Sequence, residues 1–212
     1  MIPVPTADLV DALHNVALFA GKPSDYTDLD VVRVEWDGDH LHVQATNRYV
    51  MAWASPQIGP RDGVFDGPAD APWQAGVSTR EVKHLAAALR TPDKATITGV
   101  GLCGSTVVFD RQPGPDLTPT TITVPAGDLS EFPPVGALLA AMTDTVPVER
   151  IAFGPALLGL FAKVRLPVRE PVVFTMDGPT GATRWQMGDR LRGAIQPIRL
   201  DADPILADPL RT

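Results

Sequence analysis

The chain has a single cysteine, Cys103, among its 212 residues. One thiol excludes an intrachain disulfide framework and a cysteine-based zinc site. No apolar run approaches the roughly 18 residues of a membrane span. The opening "MIPVPTADL" has no charged region leading into an apolar stretch, so no signal peptide is read there. There is no Walker-type phosphate loop, and no Ser/His/Asp or Cys/His arrangement stands out. The expectation is a cytoplasmic protein that is no enzyme, needs no cofactor and has no membrane partner. Positive charge is also scarce. The formal net charge of −7 argues against simple coating of nucleic acid. The deficit is local: residues 1–75 carry 11 acids and 4 bases, whereas residues 76–212 carry 14 of each. Any basic surface must therefore come from the later portion.

What is abundant points to structure. A composition 44% hydrophobic and 20% charged suits a globular core. Twenty-two prolines and 18 glycines favour many turns and short strands over long helices. Three segments read as amphipathic helices, each after a short strand: "VPTADLVDALHNVALFA", "VSTREVKHLAAALRT" and "AFGPALLGLFAKV". Thr6, Thr79 and Gly154 set equivalent starts. Three residues on come Leu9, Val82 and Leu157; seven on, Leu13, Ala86 and Phe161; ten on, Val16, Leu89 and Val164. That spacing is one face of an α-helix. Ser78 with Glu81 predicts a capping box, and Pro155 suits a first turn. The starts lie 73 and then 75 residues apart, the signature of an internal duplication.

Strand-like segments follow each helix. "DVVRVEW" and "HLHVQAT" flank an Asp37-Gly38 hairpin signal. "KATITGV", "STVVFDR" and "TTITVPA" follow the second helix; "EPVVFTM", "TRWQM" and "LRGAIQPIRL" follow the third. The unit is strand, helix and about three antiparallel strands, an α+β class with helices on one face of the sheets. "ASPQIGPRDGVFDGPADAPW" joins the first and second units, and "GDLSEFPPVGALLAAMTDTVP" joins the second and third. The predicted organisation is a two-repeat domain over 1–135 (1–70 and 71–135), a third repeat over 136–200, and a tail over 201–212.

Few motifs suggest chemistry. "GVGLCG" (Gly99 to Gly104) spells a dinucleotide-binding pattern, but a strand follows where that site needs a helix, so the glycines are read as a hairpin turn. His40 and His42 share a strand face near Asp37 and Asp39. That is either a metal site or a polar outer face. His14 and His84 fall on helices. Arg80, Lys83, Arg90 and Lys94 surround the second helix; Lys163, Arg165 and Arg169 follow the third. Such bases either lie along a phosphate backbone or form a solvated face. The first helix offers Asp8, Asp11 and His14 instead. "VQATNRYVMAWA" alternates through Val43–Thr46, then takes a polar Asn47-Arg48 step and runs apolar from Tyr49 to Trp53, a break in the alternation.

Three motifs, in order, carry a resemblance. "HVQATNRYVMAWA" resembles the Ala-Thr-Asp-Gly-His-Arg-Leu-Ala segment of the bacterial DNA polymerase sliding clamps, the beta clamp family. "LSEFPPV" resembles their Phe-Pro linker between the middle and last domains, and "IQPIRL" (Ile195 to Leu200) their terminal Met-Pro-Met-Arg-Leu. The match covers residues 1–200. It implies a DNA-clamp fold of about one and a half clamp domains, in a processivity factor that encircles double-stranded DNA without reading sequence. The bases above would be the DNA-binding residues. The resemblance also implies a peptide pocket for DNA polymerase and other replication proteins, walled by Thr46, Tyr49, Met51, Pro133, Val135, Ile195, Pro197 and Ile198. Asn47-Arg48-Tyr49-Val50 departs from the family by lacking the turn glycine. Clamp chains have six units and this one has three, so a homo-oligomer is expected, with a sister chain beside the third unit and four chains supplying twelve helices. The short length suits a phage replication protein. The tail carries Ile205, Leu206 and Leu210, which could dock in a pocket or remain disordered. The rivals are a clamp-fold interaction module or decoy that never encircles DNA, and an unrelated α+β protein with a chance repeat.

Overall fold

The structure is a computed structural model. It describes residues 1–22, 29–60, 71–91, 93, 95–112, 118–142, 148, 151–166, 168, 170–176, 178 and 181–198. The first unit is β1 (Ile2–Pro5), α1 (Thr6–Ala17), β2 (Val31–Trp36), β3 (Leu41–Thr46) and β4 (Val50–Ala54). The second is β5 (Trp73–Ser78), α2 (Thr79–Leu89), β6 (Ile97–Cys103), β7 (Thr106–Arg111) and β8 (Thr120–Pro125). A linking helix α3 (Val135–Ala141) leads to α4 (Pro155–Phe161), β9 (Val173–Thr175), β10 (Thr183–Met187) and β11 (Leu191–Ile195).

The first two units exchange their leading strands. β1 pairs antiparallel with β6, and β5 with β2, so each sheet holds a strand from the other unit. The helix starts follow the same exchange. Thr6 N–H donates to the Thr96 carbonyl at 2.9 Å, and Thr79 N–H to the Asp30 carbonyl at 2.8 Å, each acceptor lying just before the other unit's next strand. α1 packs along α2. β11 then pairs with β4, from Leu191 opposite Ala54 to Ile195 opposite Val50. The result is a four-stranded sheet, β1-β6-β7-β8, and a seven-stranded sheet, β5-β2-β3-β4-β11-β10-β9.

One further contact recurs three times. In each unit the leading segment meets a residue a few positions beyond the last strand. Gly59 N–H donates to the Pro3 carbonyl at 2.8 Å, Gly76 bridges Gly127, and Ala152 bridges Ile198. In the third unit that bridge stands where the others have a full leading strand.

The expected helical face is the core face. Leu9, Leu13 and Val16 on α1, and Val82, Ala86 and Leu89 on α2, are buried; on the third repeat Phe161 is buried while Leu157 and Val164 are half-buried. The Ser78–Glu81 capping box forms. Trp185 joins the units, stacking on Phe19 at 4.9 Å and meeting Phe161 edge-on at 4.9 Å.

Two local expectations are corrected. Gly99 and Gly101 lie inside β6, and the turn is Gly104-Ser105, between Cys103 and its partner Thr106; only Gly104 has the left-handed φ, +58°. A Cβ at Gly101 would stand 3.4 Å from Met1 Cγ, an ordinary contact distance. The second junction is not merely a connector. After Pro133-Pro134 it forms α3, held by a fully buried Val135.

Candidate nucleic-acid and peptide interfaces

The helices present one candidate surface. Arg80, Lys83 and Arg90 around α2, and Lys163 and Arg165 after α4, are all exposed; Lys94 and Arg169 lie outside the described residues. Asn15 of α1 is buried, and its amide grips the third unit. Nδ2 donates to the Arg165 carbonyl at 2.6 Å, and the Arg165 N–H donates to Oδ1 at 2.7 Å. This two-point bond sets Arg165 beside α1, with Arg90 acting from the α2 side. Both guanidiniums act electrostatically on the same α1 groups. The Asp11 carboxyl is raised by burial and by Asp8, against the pull of Arg165 and Arg90. The His14 ring is pushed down by burial and by those two arginines, which keeps it neutral at pH 7. The structure therefore brings Arg90 and Arg165 to one surface across α1.

That surface is not uniformly basic. A cleft of about 380 Å³ between α1 and the β10–β11 turn is lined by Asp8, Asp11, Glu170 and Asp189 against Arg165 and Arg190. Arg190 pairs with Asp8 and donates to Gln57 at 3.0 Å. Sequence reading missed Asn15, Glu170, Asp189 and Arg190. Their contacts span 133 to 182 residues where the structure pairs them, beyond any local pattern.

The second surface is the outer face of the seven-stranded sheet. β4 alternates without a break: Val50, Ala52 and Ala54 are buried against the helices, while Met51 and Trp53 point outward, half-buried. The apolar run is thus not a broken strand. Both faces are apolar because α3 lies over the outer one, against β3 and β4. Thr46 stands directly opposite Met51. Its hydroxyl donates to the Val50 carbonyl at 3.0 Å and accepts from Arg48 N–H at 3.2 Å. Asn47 Oδ1 accepts from the amides of Tyr49 and Val50, holding Arg48 at a φ of +76°. An asparagine side chain thus does the work of the missing glycine.

Met51 packs in one cluster with Val135, Phe132 and Leu29. Pro133 is half-buried, and its carbonyl accepts the Val135 amide at 2.8 Å. Gln196 N–H donates to the Tyr49 carbonyl at 2.7 Å, joining the chain after β11 to the β3–β4 turn. Tyr49 is 64% exposed and Ile198 51%; Pro197 is buried. Thr46, Met51 and Val135 therefore share the outer face, with Tyr49 and Ile198 exposed. Ile195 does not join them. It pairs with Val50, faces the helices, and is fully buried in the main core.

Further along this face, a cavity of about 380 Å³ lies between α3 and Arg33, Glu35, His42, Gln44 and Trp53. Trp53 sits between the His42 ring, at 4.9 Å, and the Arg192 guanidinium, 3.6 Å from its centroid. At the hairpin, His42 Nε2 lies 2.9 Å and His40 Nδ1 3.8 Å from Asp37 Oδ2. The three ligand atoms fall within 4.8 Å of one another and could hold a metal ion; Asp39 is not part of the trio. Burial opposes the Asp37 charge, but the amides of Asp39 and His40 and the His42 ring outweigh it and lower the carboxyl to about 2. His14 is half-buried on α1, and His84 is exposed on α2.

No known family pattern matches the chain, and no curated protein matches it significantly. Solved structures do. It is similar to the DNA polymerase III beta subunit of Thermotoga maritima, with 14% identity and a TM-score of 0.68, covering 94% of this chain and 65% of that one. It is similar to the sliding clamp of Bacillus subtilis at 13% identity and a TM-score of 0.58, covering 94% and 64%. The Helicobacter pylori beta clamp, in a structure bound to a DNA ligase peptide, matches at 11% identity and a TM-score of 0.61, covering 96% and 67%. The chain has the sliding-clamp fold and spans about 65% of the length of the first of these proteins.

Proposed function

We propose that the protein is a sliding-clamp-like processivity factor. Copies of the chain encircle double-stranded DNA in the cytoplasm, with the helices turned toward the duplex, and tether DNA polymerase and other replication proteins through short peptide segments. It performs no chemistry; tethering acts by raising the partner's effective concentration at the template. The observation that carries this reading is the pairing of β4 with β11, which continues one sheet from the first unit into the third while their helices stay on the same side. A wall built that way can extend around a hole. Arg90 and Arg165, and with them Arg80, Lys83 and Lys163, would meet phosphates. Lys94 and Arg169 remain candidates from sequence alone. The peptide seat would be the outer face around Met51, Thr46, Val135 and Pro133, rimmed by Tyr49, Pro197 and Ile198. Ile195 supports it from beneath as core.

The test is retention on closed circular against linear duplex over a salt series. Retention lost from linear DNA and kept on circles is expected. Replacing Lys83, Arg90, Lys163 and Arg165 by alanine should flatten the logarithmic salt slope by about 3 to 4. An unchanged slope would remove these bases from the interface. A second reading, a clamp-fold interaction module or decoy that never encircles DNA, is favoured by the four carboxylates around the α1 cleft. Peptide binding with no topological retention would select it.

A further inference from the structure

In the first two units, three features are completed by the neighbouring unit. The helix flank is covered, because α1 packs on α2. The first strand after each helix has its outer edge paired, β2 by β5 and β6 by β1. The amide at each helix start, Thr6 or Thr79, donates to the neighbour's carbonyl. The third unit has the same parts with none of these partners among the described residues. No helix packs along α4 as α1 and α2 pack on each other. β9, the counterpart of β2 and β6, ends the seven-stranded sheet. Gly154, the counterpart of Thr6 and Thr79, has no such acceptor.

The exposed side of α4 fits a contact better than it fits water. The helix, PALLGLF, has no charged residue. Pro155, Ala156, Leu158 and Gly159 are exposed, and nothing lies within 4 Å of where a Gly159 side chain would stand. Solvated helix faces ordinarily carry charge. Leu158, one residue after Leu157, stands where α1 has Val10. Val10 is 7% exposed and Leu158 40%. Val173 at the β9 edge is 56% exposed. An open strand edge beside apolar side chains is a template for another chain.

We propose that the third unit pairs with the third unit of a second copy of this chain. α4 packs against α4, and the segment leading into each helix, Ile151–Phe153, lies along β9 of the other copy. The repeat itself identifies the occupant: in this fold a unit's open side is filled by another unit. Among the described units, the first and second already fill each other, which leaves the third unit of another copy to fill the open side of this one. The contact is isologous and so is made twice by one surface. The absence of charge on α4 removes like-charge repulsion across the two-fold axis. The proposal rests on the oligomer named above and supplies one of its contacts.

The test is sedimentation equilibrium of the full chain at micromolar concentration, with amide hydrogen exchange on the same samples. A dimer or a multiple of one is expected, with slow exchange at β9 and Gly154. Leu158→Asp and, separately, Val173→Asp should halve the mass and speed exchange there, while Leu102→Ala, on β6 and outside the contact, leaves both unchanged. A monomeric parent chain, or an oligomer whose mass and β9 exchange ignore both substitutions, overturns the proposal. Where a variant fails to fold, fast exchange at β9 in the parent chain decides against it alone. An oligomer that obeys these substitutions but is not retained on circular DNA leaves the contact standing and removes the clamp reading.

Discussion

The junction between the first and third units can be broken by one methyl group. Gly193 on β11 lies opposite Ala52 of β4 on one side and Trp185 of β10 on the other. A Cβ at this position would overlap the Met51 carbonyl oxygen and come within 2.5 Å of Trp185 Cζ2. Neither neighbour can give way easily. The first is strand backbone, and the second is a buried indole braced by Phe19 and Phe161. Overpacking relieved by side-chain adjustment costs about 1–3 kcal/mol. Here the strand pair itself must shift, so Gly193→Ala should cost about 3 kcal/mol or more. For a chain of this size, roughly 2–4 °C of melting temperature goes with each kcal/mol, giving a drop of about 6–12 °C. Circular dichroism melts at one fixed protein concentration measure it, because assembly also moves the midpoint. Gly136→Ala is the control. Nothing lies within 4 Å of its would-be side chain, and alanine suits helix α3, so that variant should melt at or above the parent. A Gly193→Ala protein melting within about 1 °C of the parent would refute the close approach of β4, β11 and Trp185.

Asn15→Ala removes both bonds to Arg165 and should cost about 1–3 kcal/mol in urea unfolding; an unshifted midpoint would mean the grip on the third unit contributes nothing. Asp37, lowered to about 2 from 3.8, contributes stability that is fully present above pH 3.8 and lost as pH falls through 2. Its side chain is 42% exposed, so the effect is small. The difference in stability between the parent and Asp37→Asn should shrink over that acid window; a difference constant with pH would show that the charge is not what matters. Met51→Asp puts a carboxylate into the outer-face cluster and should abolish docking of a clamp-binding peptide in a fluorescence anisotropy titration. Parental affinity in that variant would place the peptide elsewhere.

Features decided within one turn or hairpin were legible in the sequence. The Leu9–Leu13–Val16 face and its repeats, the Ser78–Glu81 box and the Asp37-Gly38 turn each follow from neighbours a few residues apart. The exchange of β1 and β5 was not legible, because pairing Val4 with Thr98 leaves no local mark. α3 was hidden by brevity: seven residues with one buried side chain show no periodicity. The run from Tyr49 to Trp53 misled for a physical reason. Alternation reports one wet face and one dry face, and this strand is covered on both. Ile195 was misassigned for a related one. A terminal motif can name a segment, but the face each side chain takes is set by register, and Ile195 sits opposite the inward Val50. The outer-face residues came from resemblance, and Arg192 beside Trp53 could be found only from the strand pairing.

Net charge does not decide between the two functional readings; its placement does. A chain of −7 can still offer phosphates a positive surface if its acids lie elsewhere or are already paired. Part of that condition is met. The carboxylate of Asp8 is engaged by Arg190, and Glu81 is engaged in its capping box. Asp11, Glu170 and Asp189 still face the cleft beside Arg165. A duplex laid over α2 would meet Arg80, Lys83 and Arg90, all exposed, with Asp11 of α1 the carboxylate that acts on Arg90. One laid over the cleft would meet more acid than base. If DNA is held, the α2 side should carry most of the phosphate contacts. Lys83→Ala with Arg90→Ala should then lower the salt slope more than Lys163→Ala with Arg165→Ala, and the reverse order would place the duplex on the third unit.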